Sequence, residues 1–149
     1  MVDAKEALTP ALIAGVVLGL VDGLFGGMDL LLGMIPCIGW CLGIPLMLVS
    51  LVLPVVAGIA AAFLLKKKFP VDIKDGVIVG LMAGGVGGAI SGVMDLIFFV
   101  VKIILNRSIG AILMSFVYTI LYAGGWLITW LILGVIGGLI GAFIFGKKQ

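Results

Sequence analysis

GVIVGLMAGGVGGAISG, residues Gly76 to Gly92, carries a glycine at every fourth position (Gly76, Gly80, Gly84, Gly88, Gly92) inside an otherwise apolar run. On a helix that spacing lays the glycines along one narrow, slowly drifting face. A face without side chains lets a second backbone approach closely, which is how helices associate in lipid. The stretch therefore predicts a membrane helix with a packing seam. Its core, Gly84-Gly85-Val86-Gly87-Gly88, is not a phosphate loop: no strand precedes it and no Lys-Ser or Lys-Thr follows it.

The rest of the chain agrees with a membrane setting. Of 149 residues, 64% are hydrophobic and 11% charged, and the mean hydropathy is +1.46. Soluble domains carry about a quarter charged residues. The length suffices for roughly four to five helical spans of about 20 residues each, so residues 1–149 read as a single integral membrane domain. A net charge of +2 gives no basis for nucleic-acid binding, and the absence of histidine removes the commonest metal ligand and proton shuttle. The segment Met1 to Thr9 leads into the first apolar run without an A-x-A-like cleavage site and reads as a retained start.

The glycine ladder occurs twice. The first span, about Ala11 to Leu32 with Pro10 at its first position, carries Gly15, Gly19, Gly23 and Gly27, and a shift of 61 brings these onto Gly76, Gly80, Gly84 and Gly88. The second span, about Ile44 to Leu65, contains Pro45 and Pro54 and ends in Lys66, Lys67 and Lys68. The last span, about Leu127 to Phe145, contains Gly134, Gly138 and Gly141 and ends in Lys147 and Lys148. A shift of 80 aligns Gly58, Ala62 and Phe63 with Gly138, Ala142 and Phe143. Residues 9–68 and 74–148 thus read as two copies of a two-helix unit. A unit that crosses twice returns to the side it left, which makes the repeat parallel. Lys5, Lys66 to Lys68, Lys74, Lys147 and Lys148 then share one side, and the positive-inside rule makes that side, with both termini, cytoplasmic. Lys102 and Arg107 dissent.

The fold class expected is an all-α membrane protein. It has four principal transmembrane helices as two tandem, parallel-repeat hairpins with apolar re-entrant or interfacial linkers. Leu30 to Gly43 is too short to cross alone and contains Pro36. Ile109 to Tyr122 is apolar enough to cross, but a fifth span would move Lys147 and Lys148 to the outside. A re-entrant helix hinged at Gly124 and Gly125 is the preferred reading. Tyr118, Tyr122, Trp126 and Trp130, with Trp40 in the first copy, suit an interfacial belt.

The out-of-place polar residues are Asp22, Asp29 and Asp95. A carboxylate at membrane depth costs at least a few kcal/mol, so it faces a partner, a cavity or water. One reading makes the three an ion or proton path. The other sends Asp29 and Asp95 to the outer interface and bonds Asp22 to a neighbouring helix or a partner subunit. Cys37 and Cys41, in Cys-Ile-Gly-Trp-Cys, read as small packed thiols, as a pair able to form a disulfide in an oxidising compartment if the segment is not helical, or as a bridge between two protomers. Without histidine they complete no zinc site, and no metal site or cofactor is expected. Lys66, Lys67 and Lys68 beside the membrane attract anionic lipid head groups at roughly 1 kcal/mol per charge.

Two stretches resemble a family of small, uncharacterised prokaryotic multi-pass membrane proteins with glycine-zipper helices. One is the cysteine-bearing turn and the helix ending in Ala60-Ala61-Ala62-Phe63-Leu64-Leu65 and the lysines; the other is Lys74-Asp75-Gly76-Val77-Ile78-Val79-Gly80-Leu81 with its ladder. The resemblance covers roughly Cys37 to Gly92, implies the multi-pass topology and brings no assigned activity. The sequence therefore leads to a non-enzymatic subunit or scaffold of the cell membrane, a homo-oligomer or part of a larger complex in contact with lipids. The alternative is a small channel or transporter using Asp22 with Asp29 or Asp95.

Overall fold

The computed structural model describes residues 4–32, 38–67, 69–106 and 109–146. These form four helices: α1 (Ala4–Leu32), α2 (Ile38–Lys66), α3 (Ile73–Asn106) and α4 (Ile109–Phe145). Each is long and apolar enough to cross a membrane, over Lys5–Met28, Cys41–Lys66, Ile73–Val101 and Thr119–Phe145.

The directions of the helices follow from what lies against the glycines. Gly15, Gly19, Gly23 and Gly27 meet Ala83, Gly87, Met94 and Phe98 in rising order, so α1 and α3 run the same way. Gly76, Gly80, Gly84 and Gly92 meet Gly138, Gly134, Trp130 and Ala123 in falling order, so α4 runs against α3. Val55 lies on Gly137 and Ala62 on Gly141, which makes α2 and α4 parallel. Lys5, Lys66, Lys67 and Lys74 consequently stand at one end of the bundle. Each helix packs on its neighbours except along one diagonal, where the backbones of α1 and α4 stay apart.

The size pattern is inverted relative to a soluble bundle. The buried residues are mostly small, among them Ala11, Ala57, Ala61, Ala62 and Ala83, while Ile13, Val17, Met47, Val52, Ile132 and Phe143 point outward. Lipid chains are as apolar as leucine, so nothing drives large side chains inward; small ones go to the seams because they let backbones come close.

Three boundaries differ from the sequence reading. First, α1 begins at Ala4 and carries Pro10 inside it rather than at its start. The segment Ala4-Lys-Glu-Ala-Leu is rich in strong helix formers and sets Glu6 in the first turn, which outweighs the one bond lost to proline. Second, the described parts of the apolar linkers are not separate elements; residues 33–37, with Pro36, lie outside the described residues. Ile38 to Gly43 belong to α2, and Ile109 to Tyr122 belong to α4, which passes through Gly124 and Gly125 unbroken. Two helical glycines cost about 1 kcal/mol each, whereas unpaired backbone groups in lipid cost several apiece, so the helix is retained. Third, α4 is one element of 37 residues, about 55 Å long, that begins at Ile109 rather than near Leu127; the four-span count is unchanged among the described residues. At the start of α3, the Asp72 N–H donates to Asp75 Oδ2 at 3.1 Å and the Gly76 N–H to the Asp72 carbonyl at 2.9 Å. The first bond is the returning half of a capping box and the second is the first helical one, so together they mark where the third helix begins.

Candidate functional site

Asp22 lies deep in α1 and is only 3% exposed. Its Oδ2 accepts three hydrogen bonds: from Ser91 Oγ at 2.7 Å, Trp126 Nε1 at 2.8 Å and Trp130 Nε1 at 3.1 Å. One oxygen of α1 is therefore bonded to both α3 and α4. The two indoles reach it together because they are four residues apart and share a face of α4. Long side chains are needed here, since α1 and α4 have no backbone contact to bring shorter groups within range.

Glycines make room for this tie. Trp130 is fully buried, and its ring occupies the place that a Cβ on Gly87 would take. A Cβ on Gly88 would stand 2.8 Å from that of Trp130, and one on Gly19 would stand 2.8 Å from the Gly87 Cα. Gly87 is thus pressed from one side by α1 and from the other by the indole. α3 accordingly has two small faces: Ala83, Gly87 and Ser91 toward α1, and Gly76, Gly80, Gly84 and Gly88 toward α4.

The tie satisfies only half of the carboxylate. Hydrogen bonds to a charged acceptor contribute about 1.5–3 kcal/mol each in proteins, enough in sum to offset the few kcal/mol of insertion cost. All three fall on Oδ2, and Oδ1 is buried without a partner among the described residues. Asp95 lies one turn beyond Ser91 on α3. Its Oδ1 stands 2.8 Å from where a Cβ on Gly26 would be, and Gly26 is one turn beyond Asp22 on α1. Asp95 is half-buried and lies on the same α1–α3 seam, one turn along from the Asp22 tie.

The remaining sequence candidates are dispersed. The side chain of Asp29 lies outside the described residues, as do Cys37, Lys68, Lys147 and Lys148; Cys41 is exposed. Lys66 Nζ sits 5.5 Å over the Phe145 ring and Lys67 Nζ 5.2 Å over that of Phe63; the two rings are 5.2 Å apart. Among the ladder glycines, Gly134 and Gly138 lie against the backbone at Gly84 and Gly80, Gly141 against Ala62, and Gly92 only loosely against Ala123 at 3.9 Å. No group of three histidine, cysteine, aspartate or glutamate side chains is gathered among the described residues.

Trp126 and Trp130 do not form a belt: they turn inward and donate to Asp22. Their W-x-x-x-W spacing was the available signal, since it sets two N–H donors on one helical face. Ser91, Gly87 and Gly26 also escape a reading of the four-residue ladder, because they lie on the other face of α3 or off the ladder in α1. No protein-family model, curated protein or solved structure matches the chain.

Proposed function

We propose that this chain is a non-catalytic, multi-pass subunit or scaffold of the cell membrane. In this reading residues 9–68 and 74–148 are tandem copies that keep both termini cytoplasmic, and glycine-ladder packing holds the copies together and to further protomers or a larger complex. Lys66 to Lys68 contact lipid head groups, and neither a cofactor nor metal-based chemistry is part of this reading. The observation that carries the reading is the use made of Asp22. The most conspicuous polar residue of the chain is closed off from solvent and spent on joining three helices. A scaffold needs such a fixed tie between helices.

A second reading, a small ion or proton channel or transporter using Asp22 with Asp29 or Asp95, is favoured by one feature: the unpartnered Oδ1 with a second carboxylate a turn away. Flux measurements on protein reconstituted in liposomes separate the two. The scaffold reading expects no proton or alkali-ion flux above protein-free vesicles under any imposed gradient, together with a defined oligomer or complex on cross-linking. Flux that disappears in a normally assembled Asp22→Asn variant rejects it.

A further inference from the structure

We propose that Asp22 and Asp95 together hold one monovalent positive charge, a proton or an alkali cation, between α1 and α3. The site has three elements. Asp22 Oδ1 is buried and receives no hydrogen bond from the described residues, although three donors crowd the other oxygen of the same group. Asp95 projects from α3 into the space left by the missing side chain of Gly26, one turn along the face of α1 that bears Asp22. A Cβ at position 26 would stand 2.8 Å from Asp95 Oδ1, so any other residue there makes the Asp95 carboxyl move aside.

Among the described side chains, the surroundings supply no counter-charge. α4 carries no acidic or basic residue from Ile109 to Phe145, and α2 carries none between Ile38 and Leu65. Lys5 and Glu6 of α1, Lys66 of α2, and Lys74 and Asp75 of α3 stand at the far end of the bundle. Asp29 on α1 and Lys102 on α3, each seven residues beyond a member of the pair, have side chains outside the described residues. The two indole N–H groups and the Ser91 hydroxyl are uncharged donors that stabilise the Asp22 carboxyl without neutralising it. A second carboxyl one turn away at membrane depth, where charge without a partner is costly, is relieved by a single positive charge shared by the two. A divalent ion is disfavoured, because calcium and magnesium require six or more oxygen ligands and magnesium sheds water reluctantly. The inference is independent of conduction: a held charge stabilises a scaffold as readily as it loads a transporter.

The test uses the full chain in detergent or nanodiscs with dicyclohexylcarbodiimide. The O–H of a protonated carboxyl adds across one C=N bond of the reagent, and the O-acylisourea formed rearranges to a stable N-acylurea found by peptide mass spectrometry. The expected result is labelling at Asp95 or Asp22, lost in Asp95→Asn, which leaves the Asp22 hydrogen bonds in place, and reduced at least fivefold in Gly26→Ala. Labelling indifferent to sodium or lithium assigns a proton. Labelling slowed tenfold or more by either salt, with one radioactive sodium retained per chain, assigns an alkali cation. The proposal is overturned in either of two cases. In one, neither residue is labelled at any pH at which the fold is kept, no sodium is retained, and carbon-13 aspartate shows no protonated-carboxyl band in the infrared. In the other, sodium retention and the infrared band are unchanged in both Asp95→Asn and Gly26→Ala.

Discussion

The α3–α4 seam and the α1–α3 seam are both lined with glycine at four-residue intervals, and they work differently. Between α3 and α4 the contacts are reciprocal: Gly76 and Gly80 lie on the backbone of Gly138 and Gly134, which lie in turn on Gly76, Gly80 and Gly84. Between α1 and α3 they are mostly one-sided. After Gly19 against Gly87, the glycines of α1 receive Met94, Asp95 and Phe98. Both seams loosen in the same direction, away from the lysines. In α4 the change ends at Gly124 and Gly125, which have nothing within 4 Å of an added Cβ. The same sequence device thus serves two purposes. Paired with glycine it closes a gap, and paired with a side chain it admits one. Asp22 sits where the first use gives way to the second.

Substitutions ordered by expected effect sharpen this contrast, each read as unfolding free energy in micelles by denaturant titration. Gly80→Ala sets a methyl against backbone on α4, which has no rotamer with which to yield, and we expect a loss of about 3 kcal/mol, at the upper end for overpacking. Asp22→Ala strands a hydroxyl and two indole N–H groups. In-membrane side-chain bonds average about 0.6 kcal/mol, and orphaned donors cost more, so the loss should be about 2 kcal/mol and smaller in Asp22→Asn. Gly27→Ala faces only the Phe98 ring, the movable end of a side chain, and should cost about 1 kcal/mol. Gly124→Ala meets nothing and should stabilise by about 0.5–1 kcal/mol through helix propensity alone. Equal losses for Gly80→Ala and Gly27→Ala would erase the distinction between the seams.

How much of this was legible in the sequence depends on which physical rule governed each residue. The four apolar spans and the isolation of Asp22 follow from composition and the cost of charge in lipid, and both needed only counting. Trp126 and Trp130 were misplaced because an indole is equally at home in an interfacial belt and against a buried acceptor; only the position of Asp22 across the bundle decides between them. Gly124 and Gly125 looked like a hinge because glycine disfavours helix in water, a preference that lipid overrides. Gly87 was legible as a glycine and illegible as a slot, because its role is set by a ring that arrives from α4.

The hydrogen bonds of Asp22 also impose an order on biogenesis. Trp126 and Trp130 follow it in the chain by 104 and 108 residues. At a synthesis rate of about 5–20 residues per second, α1 leaves the ribosome roughly 5–20 s before its acceptor can be met. Ser91, 69 residues on, is the first donor to arrive, and until the indoles follow it the acid has no other of the three, so a nascent chain halted before Trp126 should leave α1 more easily extracted from the bilayer than one released after Trp130.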